Sequence, residues 1–212
     1  MSLPHLTQPV YSTGPNLEDA SAALILLHGR GATADDILSL STYLDFPQLA
    51  YLAPQAEGYT WYPNRFIFPI EQNEPYLSAA LTKIDTIVKE VEAHDIPTEK
   101  IFIGGFSQGA CLASEYVIRN PRRYGGLLVF SGGYIGPLNT RRQPSGDLNG
   151  MPAFLGCSDT DPHIPVQRVN ETTSLLKVMG AKVTEKIYAN MGHTIIQDEI
   201  EFARELISES LS

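Results

Sequence analysis

Cysteine is scarce: Cys111 and Cys157 are the only two in 212 residues. They allow one bridge at most and neither belongs to a CxxC pair, which excludes the disulfide framework of a small secreted domain and suits a reducing compartment. Basic residues are also few, 15 Lys and Arg against 24 Asp and Glu, for a net charge of −9. That balance is opposite to what phosphate tracking needs, so nucleic acid is not an expected partner. No run of roughly eighteen apolar residues occurs. The stretch Met1 to Ser12 lacks the basic n-region and apolar h-region of a secretory signal. A cytoplasmic protein with no stable membrane association is expected. The five histidines are too scattered for a zinc site, and neither HExxH nor G-x-G-x-x-G appears, so neither metal nor cofactor is expected.

What is present is enough apolar material, 43% of residues, to bury the core of one domain spanning 1–212. Apolar runs of strand length recur at Ala22 to Leu27, Leu49 to Ala53, Ile101 to Gly105, Leu127 to Ser131, Ala153 to Gly156 and Val183 to Ala189. Helical patterns alternate with them. From Glu74 to Glu92 the residues Leu77, Ala80, Leu81, Ile84, Ile87, Val88 and Val91 follow the three-and-four spacing of one buried stripe. Shorter helices are expected over Thr33 to Tyr43, Gln108 to Asn120, Val166 to Met179 and Gln197 to Leu211. Strands that read as continuous apolar runs imply cover on both faces, hence an α/β fold with a mostly parallel central sheet and helices on both sides. Leu3 to Tyr11, with a turn at Ser12 to Pro15, is expected as an antiparallel edge strand. Two long irregular stretches, Pro54 to Asn73 and Gly132 to Met151, are rich in Gly, Pro, Asn and aromatic residues. Loops of that length in a compact domain are usually functional.

Gly105-Phe106-Ser107-Gln108-Gly109 follows a strand and opens a helix. A serine nucleophile on such a turn needs small residues two positions to either side, because neighbouring chain comes too close for a Cβ. The following helix presents free N–H groups and its positive end to a developing oxyanion. Ser107 is the expected nucleophile and the Gln108 amide one oxyanion donor. The other is expected from the loop Leu27-His28-Gly29-Arg30-Gly31, where two glycines let the Arg30 amide approach a substrate oxygen. His28 reads as loop scaffold. The order of this chemistry along the chain is serine, acid, histidine. His193, after the last apolar strand, is the expected base, and His163 is a candidate substrate contact. Asp159 and Asp161 both lie in the loop after Ala153 to Gly156, and Asp161 precedes a stiffening proline. The cysteines read as small apolar residues.

These four segments together resemble the phospholipase/carboxylesterase family of α/β hydrolases, which includes acyl-protein thioesterases and small bacterial carboxylesterases. The likeness runs from the strand before Leu27-His28-Gly29 to the helix after Gly192-His193. The resemblance implies a triad of Ser107, Asp161 and His193 with oxyanion donors at the Arg30 and Gln108 amides. A family loop of the form Asp-Pro-x-Val-Pro matches Asp161-Pro162-His163-Ile164-Pro165, and this match favours Asp161 over Asp159. It also implies a homodimer paired near the active-site face, with Tyr59 to Phe68 contributing. Two features depart from the family's thioesterases. They usually carry a smaller apolar residue at the position of Arg30, and Trp61-Tyr62-Pro63-Asn64-Arg65-Phe66 is not their short tryptophan loop.

The expected activity is cofactor-free hydrolysis of carboxylic esters or thioesters through an acyl-enzyme. The rate should rise with pH through the ordinary histidine value of about 6.5. A small soluble substrate with a short or medium acyl group is expected, because the acidic chain has no polybasic or lipidation signal for docking on an anionic membrane. Trp61, Met191 and His163 are candidate substrate contacts, and the Arg30 side chain a candidate partner for a substrate carboxylate. The rival readings are a non-catalytic ligand-binding protein of the same fold, lactone or carbon–carbon hydrolysis with the same triad, and a lysophospholipase or depalmitoylating enzyme.

Overall fold

The computed structural model describes residues 3–138, 140 and 142–212. Seven strands form one sheet in the order β1-β3-β2-β4-β5-β6-β7. They are β1 (Val10–Thr13), β2 (Ala22–Leu27), β3 (Leu49–Pro54), β4 (Ile101–Phe106), β5 (Gly126–Phe130), β6 (Pro152–Ser158) and β7 (Lys182–Tyr188). Among the described strands only β1 runs antiparallel, pairing Val10 with Pro54 and Thr13 with Tyr51. The helices are α1 (Ala34–Leu38), α2 (Leu40–Leu44), α3 (Tyr76–Ala93), α4 (Gln108–Arg119), α5 (Val166–Val178) and α6 (Gln197–Leu211).

Every residue of β2 and β3 is buried, as parallel strands covered on both faces require. Alternate residues feed two cores. Ile25, Leu27, Ile103 and Val129 pack with α3, α4 and α5. Leu24, Leu26, Phe102 and Phe130 pack on the opposite face with α1, α2 and α6. The helices are thus on both faces, as the apolar runs imply.

Two elements differ from expectation. The edge strand is antiparallel, but it occupies Val10–Thr13 and includes residues expected to turn. His5 is the reason: it is buried, accepts the Glu57 amide at Nδ1 (3.0 Å) and contacts the Trp61 carbonyl through Nε2 (3.0 Å). This anchor takes the preceding chain away from the sheet edge. The helix expected over Thr33 to Tyr43 is two helices that meet at Ser39. The Ser39 hydroxyl donates to the Asp36 carbonyl at 2.6 Å, offering that carbonyl a partner other than the amide of the next turn.

Candidate active site

The turn between β4 and α4 is set by backbone crowding. Ser107 adopts φ 55° and ψ −116°, a strained conformation for a residue with a Cβ. Its amide donates to the Phe130 carbonyl of the neighbouring strand at 2.9 Å. A Cβ at Gly105 would lie 2.6 Å from the Leu27 carbonyl oxygen, and one at Gly109 only 2.0 Å from that atom. Glycine at both positions lets α4 press against the end of β2 and leaves Ser107 facing the cleft.

Ser107 Oγ lies 2.8 Å from His193 Nε2, and His193 Nδ1 lies 2.7 Å from Asp161 Oδ2. The Asp161 side chain is fully buried, and its Oδ1 accepts the amides of His163 (2.8 Å) and Ile164 (2.9 Å). Burial alone would raise this carboxyl. The hydrogen bonds from His193 and the two loop amides outweigh it and hold the group below its ordinary value. An ionised Asp161 keeps the proton on Nδ1, which leaves the Nε2 lone pair facing the serine hydroxyl. Phe106 packs on the His193 ring at a centroid distance of 4.8 Å, and His163 meets it edge-on at 4.9 Å.

The two carboxylates of the acid loop differ in what they contact. Asp159 accepts the Asn190 amide at 2.8 Å, tying the acid loop to the histidine loop without touching the ring. Thus Asp161 alone of the two meets His193.

Arg30 and Gln108 line the same cleft as Ser107. The Arg30 amide donates to no described group, and the Gln108 amide is in the first turn of α4, where no intrahelical acceptor exists. Their side chains do something the sequence did not signal. The Arg30 guanidinium donates to the carbonyls of Tyr62 (2.8 Å), Pro63 (3.0 Å) and Asn64 (2.8 Å). Gln108 Nε2 donates to the Tyr62 carbonyl at 2.8 Å, and its Oε1 accepts the Trp61 amide at 2.9 Å. Asn73, buried, accepts the Asn64 amide and donates to the Arg65 carbonyl. Three side chains from distant parts of the chain therefore hold residues 60–65 as a wall.

The cleft measures about 540 Å³ and its apolar lining includes Tyr62, Phe66, Phe68, Phe106 and Ile164, with His163 beside the histidine. Two candidate substrate contacts are corrected. Trp61 is completely buried, donating its indole N–H to the His28 carbonyl at 2.9 Å and packing on the His28 ring, so it supports the wall from behind. Met191 is half-buried and is not among the residues lining the cleft, because Phe106 and His163 take the places beside His193. The carboxylate-pairing role expected for Arg30 is corrected as well, since its guanidinium is occupied by three carbonyls. Ala32, Phe106, Cys111 and Ile164 are among the lining residues that sequence reasoning missed. Phe106 carried a signal, being the residue before Ser107.

His28 is scaffold. Its Nε2 accepts the Ala56 amide at 3.1 Å, which puts the proton on Nδ1 for the Gly29 carbonyl at 2.8 Å. Burial lowers its pKa and keeps it neutral. Burial pushes the thiols of Cys111 and Cys157 up to about 12, consistent with the apolar reading of both.

A family model described as Phospholipase/Carboxylesterase matches residues 13–211. Acyl-protein thioesterase 1 of Saccharomyces cerevisiae is 28% identical over 230 residues, covering 92% of this chain and 96% of that protein. Acyl-protein thioesterase 1 of Candida albicans is 29% identical, covering 87% of this chain and 90% of that one. The crystal structure of a phospholipase/carboxylesterase from Dyadobacter fermentans superposes with a TM-score of 0.92 at 41% identity, over 98% of this chain and 99% of the other.

Proposed function

The chain belongs to the phospholipase/carboxylesterase family and is a hydrolase of the esterase/thioesterase class, and from that premise we propose that Ser107, His193 and Asp161 are its catalytic triad. Ser107 Oγ attacks the ester or thioester carbonyl while His193 Nε2 takes its proton. The amides of Arg30 and Gln108 stabilise the tetrahedral oxyanion, an effect of about 2.7–4 kcal/mol per donor in serine hydrolases. His193 then protonates the leaving oxygen or sulfur, and Asp161 holds the imidazole tautomer throughout. Water, activated by the same histidine, releases the acid from the acyl-enzyme.

The observation that carries this reading is the continuous pair of contacts, 2.8 Å and 2.7 Å, from Ser107 through His193 to a buried carboxylate in an open cleft. Ser107→Ala tests it. Turnover of p-nitrophenyl butyrate is expected to fall by about 10⁶-fold, and labelling by a fluorophosphonate probe to disappear. Retained wild-type turnover would sink the mechanism, and an unlabelled wild-type protein would favour passive ligand binding.

The substrate reading is a soluble ester or thioester with a short or medium acyl group. It is supported by the net charge of −9 and by the aromatic wall across the cleft. Among the described residues no helix is long and apolar enough to cross a membrane. A p-nitrophenyl series from acetate to palmitate, with matching thioesters, checks it: a monotonic rise to palmitate restores a lipid or depalmitoylating role. A cytoplasmic location and a homodimer through the aromatic face belong to the same proposal. Light scattering that finds a monomer alone at micromolar concentrations removes the dimer.

A further inference from the structure

The cleft beside Ser107 carries charge of one sign. Its lining includes the cations of Arg30 and Arg65 and no carboxylate, in a chain whose net charge is −9. The two arginines differ in employment. The Arg30 guanidinium is held by three backbone carbonyls. Arg65 is exposed at the cleft, and its backbone carbonyl is bound by the Phe68 amide and Asn73. Its guanidinium, however, donates to no described group. Every other described arginine donates to a carboxylate or a backbone carbonyl. Hydrogen bonds tether the backbone that carries Arg65, so its unpartnered guanidinium stays within reach of the cleft that Phe66 and Phe68 also line. An acyl group that fills the cleft would displace water around it and strengthen its pull on an anion.

A second hollow of about 340 Å³ indicates which end of the substrate meets Arg65. It shares Gly29, Ala32, Phe106 and His193 with the cleft, and Ile37, Leu40, Ile195 and the acidic Asp36 are among its other lining residues. His193 faces both spaces, whereas Ser107 and Gln108 face only the cleft. The leaving group must receive the proton from His193, so it fits the small hollow. The carbonyl must reach the Arg30 and Gln108 amides, which puts the acyl part in the cleft.

Resting on the hydrolase reading above, we propose that the acyl part of the substrate ends in a free carboxylate bound by Arg65. The substrate class is then the monoester or monothioester of a dicarboxylic acid. One unpartnered guanidinium matches a monoanion, whereas a phosphate dianion would call for further donors. Asp36 disfavours an anion in the small hollow. The remote carboxylate is a spectator: the Ser107 Oγ–carbonyl bond forms, the bond to the leaving group breaks, and the serine proton passes through His193 to that group. Water then regenerates the serine and releases the diacid.

The test compares p-nitrophenyl hydrogen adipate and suberate with their methyl-capped counterparts. For the wild type, kcat/KM for the free acid should exceed that for the capped ester by about tenfold or more, and Arg65→Gln should bring the ratio to about one. Fluorophosphonate labelling of Ser107 in the variant shows that the elbow is intact. Equal kcat/KM for acid and capped ester in the wild type, or a ratio that survives Arg65→Gln, overturns the proposal. A third substrate, the butyrate ester of p-hydroxybenzoate, carries its carboxylate on the leaving group; an Arg65-dependent preference for it overturns the placement of the acyl end. Failure of the hydrolase reading has a separate signature, retained turnover of the capped esters by Ser107→Ala.

Discussion

Ser107 and Arg65 face one cleft, yet the segments that present them are held by different kinds of contact. Around Ser107 backbone presses on backbone: the positions of Gly105 and Gly109 are set by the carbonyl of Leu27. Around Arg65 the chain is irregular and is held by side chains, those of Arg30, Gln108 and Asn73, each reaching backbone groups of residues 61–65. The turn at Ser107 should therefore tolerate most side-chain replacement but not an added Cβ at Gly105 or Gly109, whereas one substitution should reshape the wall and leave the elbow alone. Both share two residues, since Arg30 and Gln108, the proposed oxyanion donors through their amides, give their side chains to the wall.

The largest expected effect is chemical and leaves both supports standing. Asp161→Asn should lower kcat by about 10⁴-fold, because an amide in place of the carboxylate permits the wrong imidazole tautomer. Unchanged thermal stability alongside that loss would show that the acid orients rather than builds the site.

Next in size is a direct attack on the backbone-held side. Gly109→Ala brings a Cβ within 2.0 Å of the Leu27 oxygen and should cost about 3 kcal/mol, read as a drop in both Tm and kcat. Gly192→Ala, where nothing lies within 4 Å, should change neither. Equal behaviour of the two variants would break the contrast between crowded elbow and open loop.

The helix after His193 is a case of side-chain support that titrates. Glu199 is fully buried, accepts the Ile196 amide through Oε2 at 3.0 Å and leaves Oε1 without a partner. Burial, aided by the charge of Asp198, raises its carboxyl to about 7. The fold thus favours the neutral form. That contribution is fully present below the unfolded value near 4.5 and is lost as pH rises through about 7. Glu199→Gln should therefore be more stable than the wild type at pH 8, by roughly 2–3 kcal/mol at most, and should show a flatter Tm profile between about pH 5 and 8. Identical profiles would remove Glu199 as the titrating support.

The smallest effect tests the wall. Arg30→Met keeps the oxyanion amide and removes three tethers to residues 62–64. KM should rise by about tenfold for substrates that fill the cleft, with kcat for the acetate ester changed less. A uniform loss of kcat across acyl lengths would instead place the side chain in the service of the oxyanion amide.

The differences between sequence reading and structure divide along the same line. The elbow, the early glycine loop and the parallel strands were legible because each is dictated by neighbours in the chain: glycine two residues either side of a strained serine, or an apolar run long enough for a strand with both faces covered. Trp61, a candidate substrate contact, and Tyr62, next to it, are equally buried, yet only Tyr62 lines the cleft. Nothing local distinguishes the two, because what turns the indole inward is the carbonyl of His28, more than thirty positions earlier. The displaced edge strand has a cause of the same type, since His5 is held by Glu57 and Trp61.

The sequence by itself determined the alternating fold, the turn that exposes Ser107, and the histidine loop at the end of the last strand, because short-range sterics and hydrophobic period leave few alternatives there. Only the tertiary structure decided which aromatic residues line the cleft and which arginine keeps a guanidinium free, whereas the Asp161 that meets His193 is the carboxylate that the family loop already favours. Those outcomes depend on which hydrogen-bond partners arrive from distant segments once the sheet has formed. A charge or donor has no fixed role until its partners are in place.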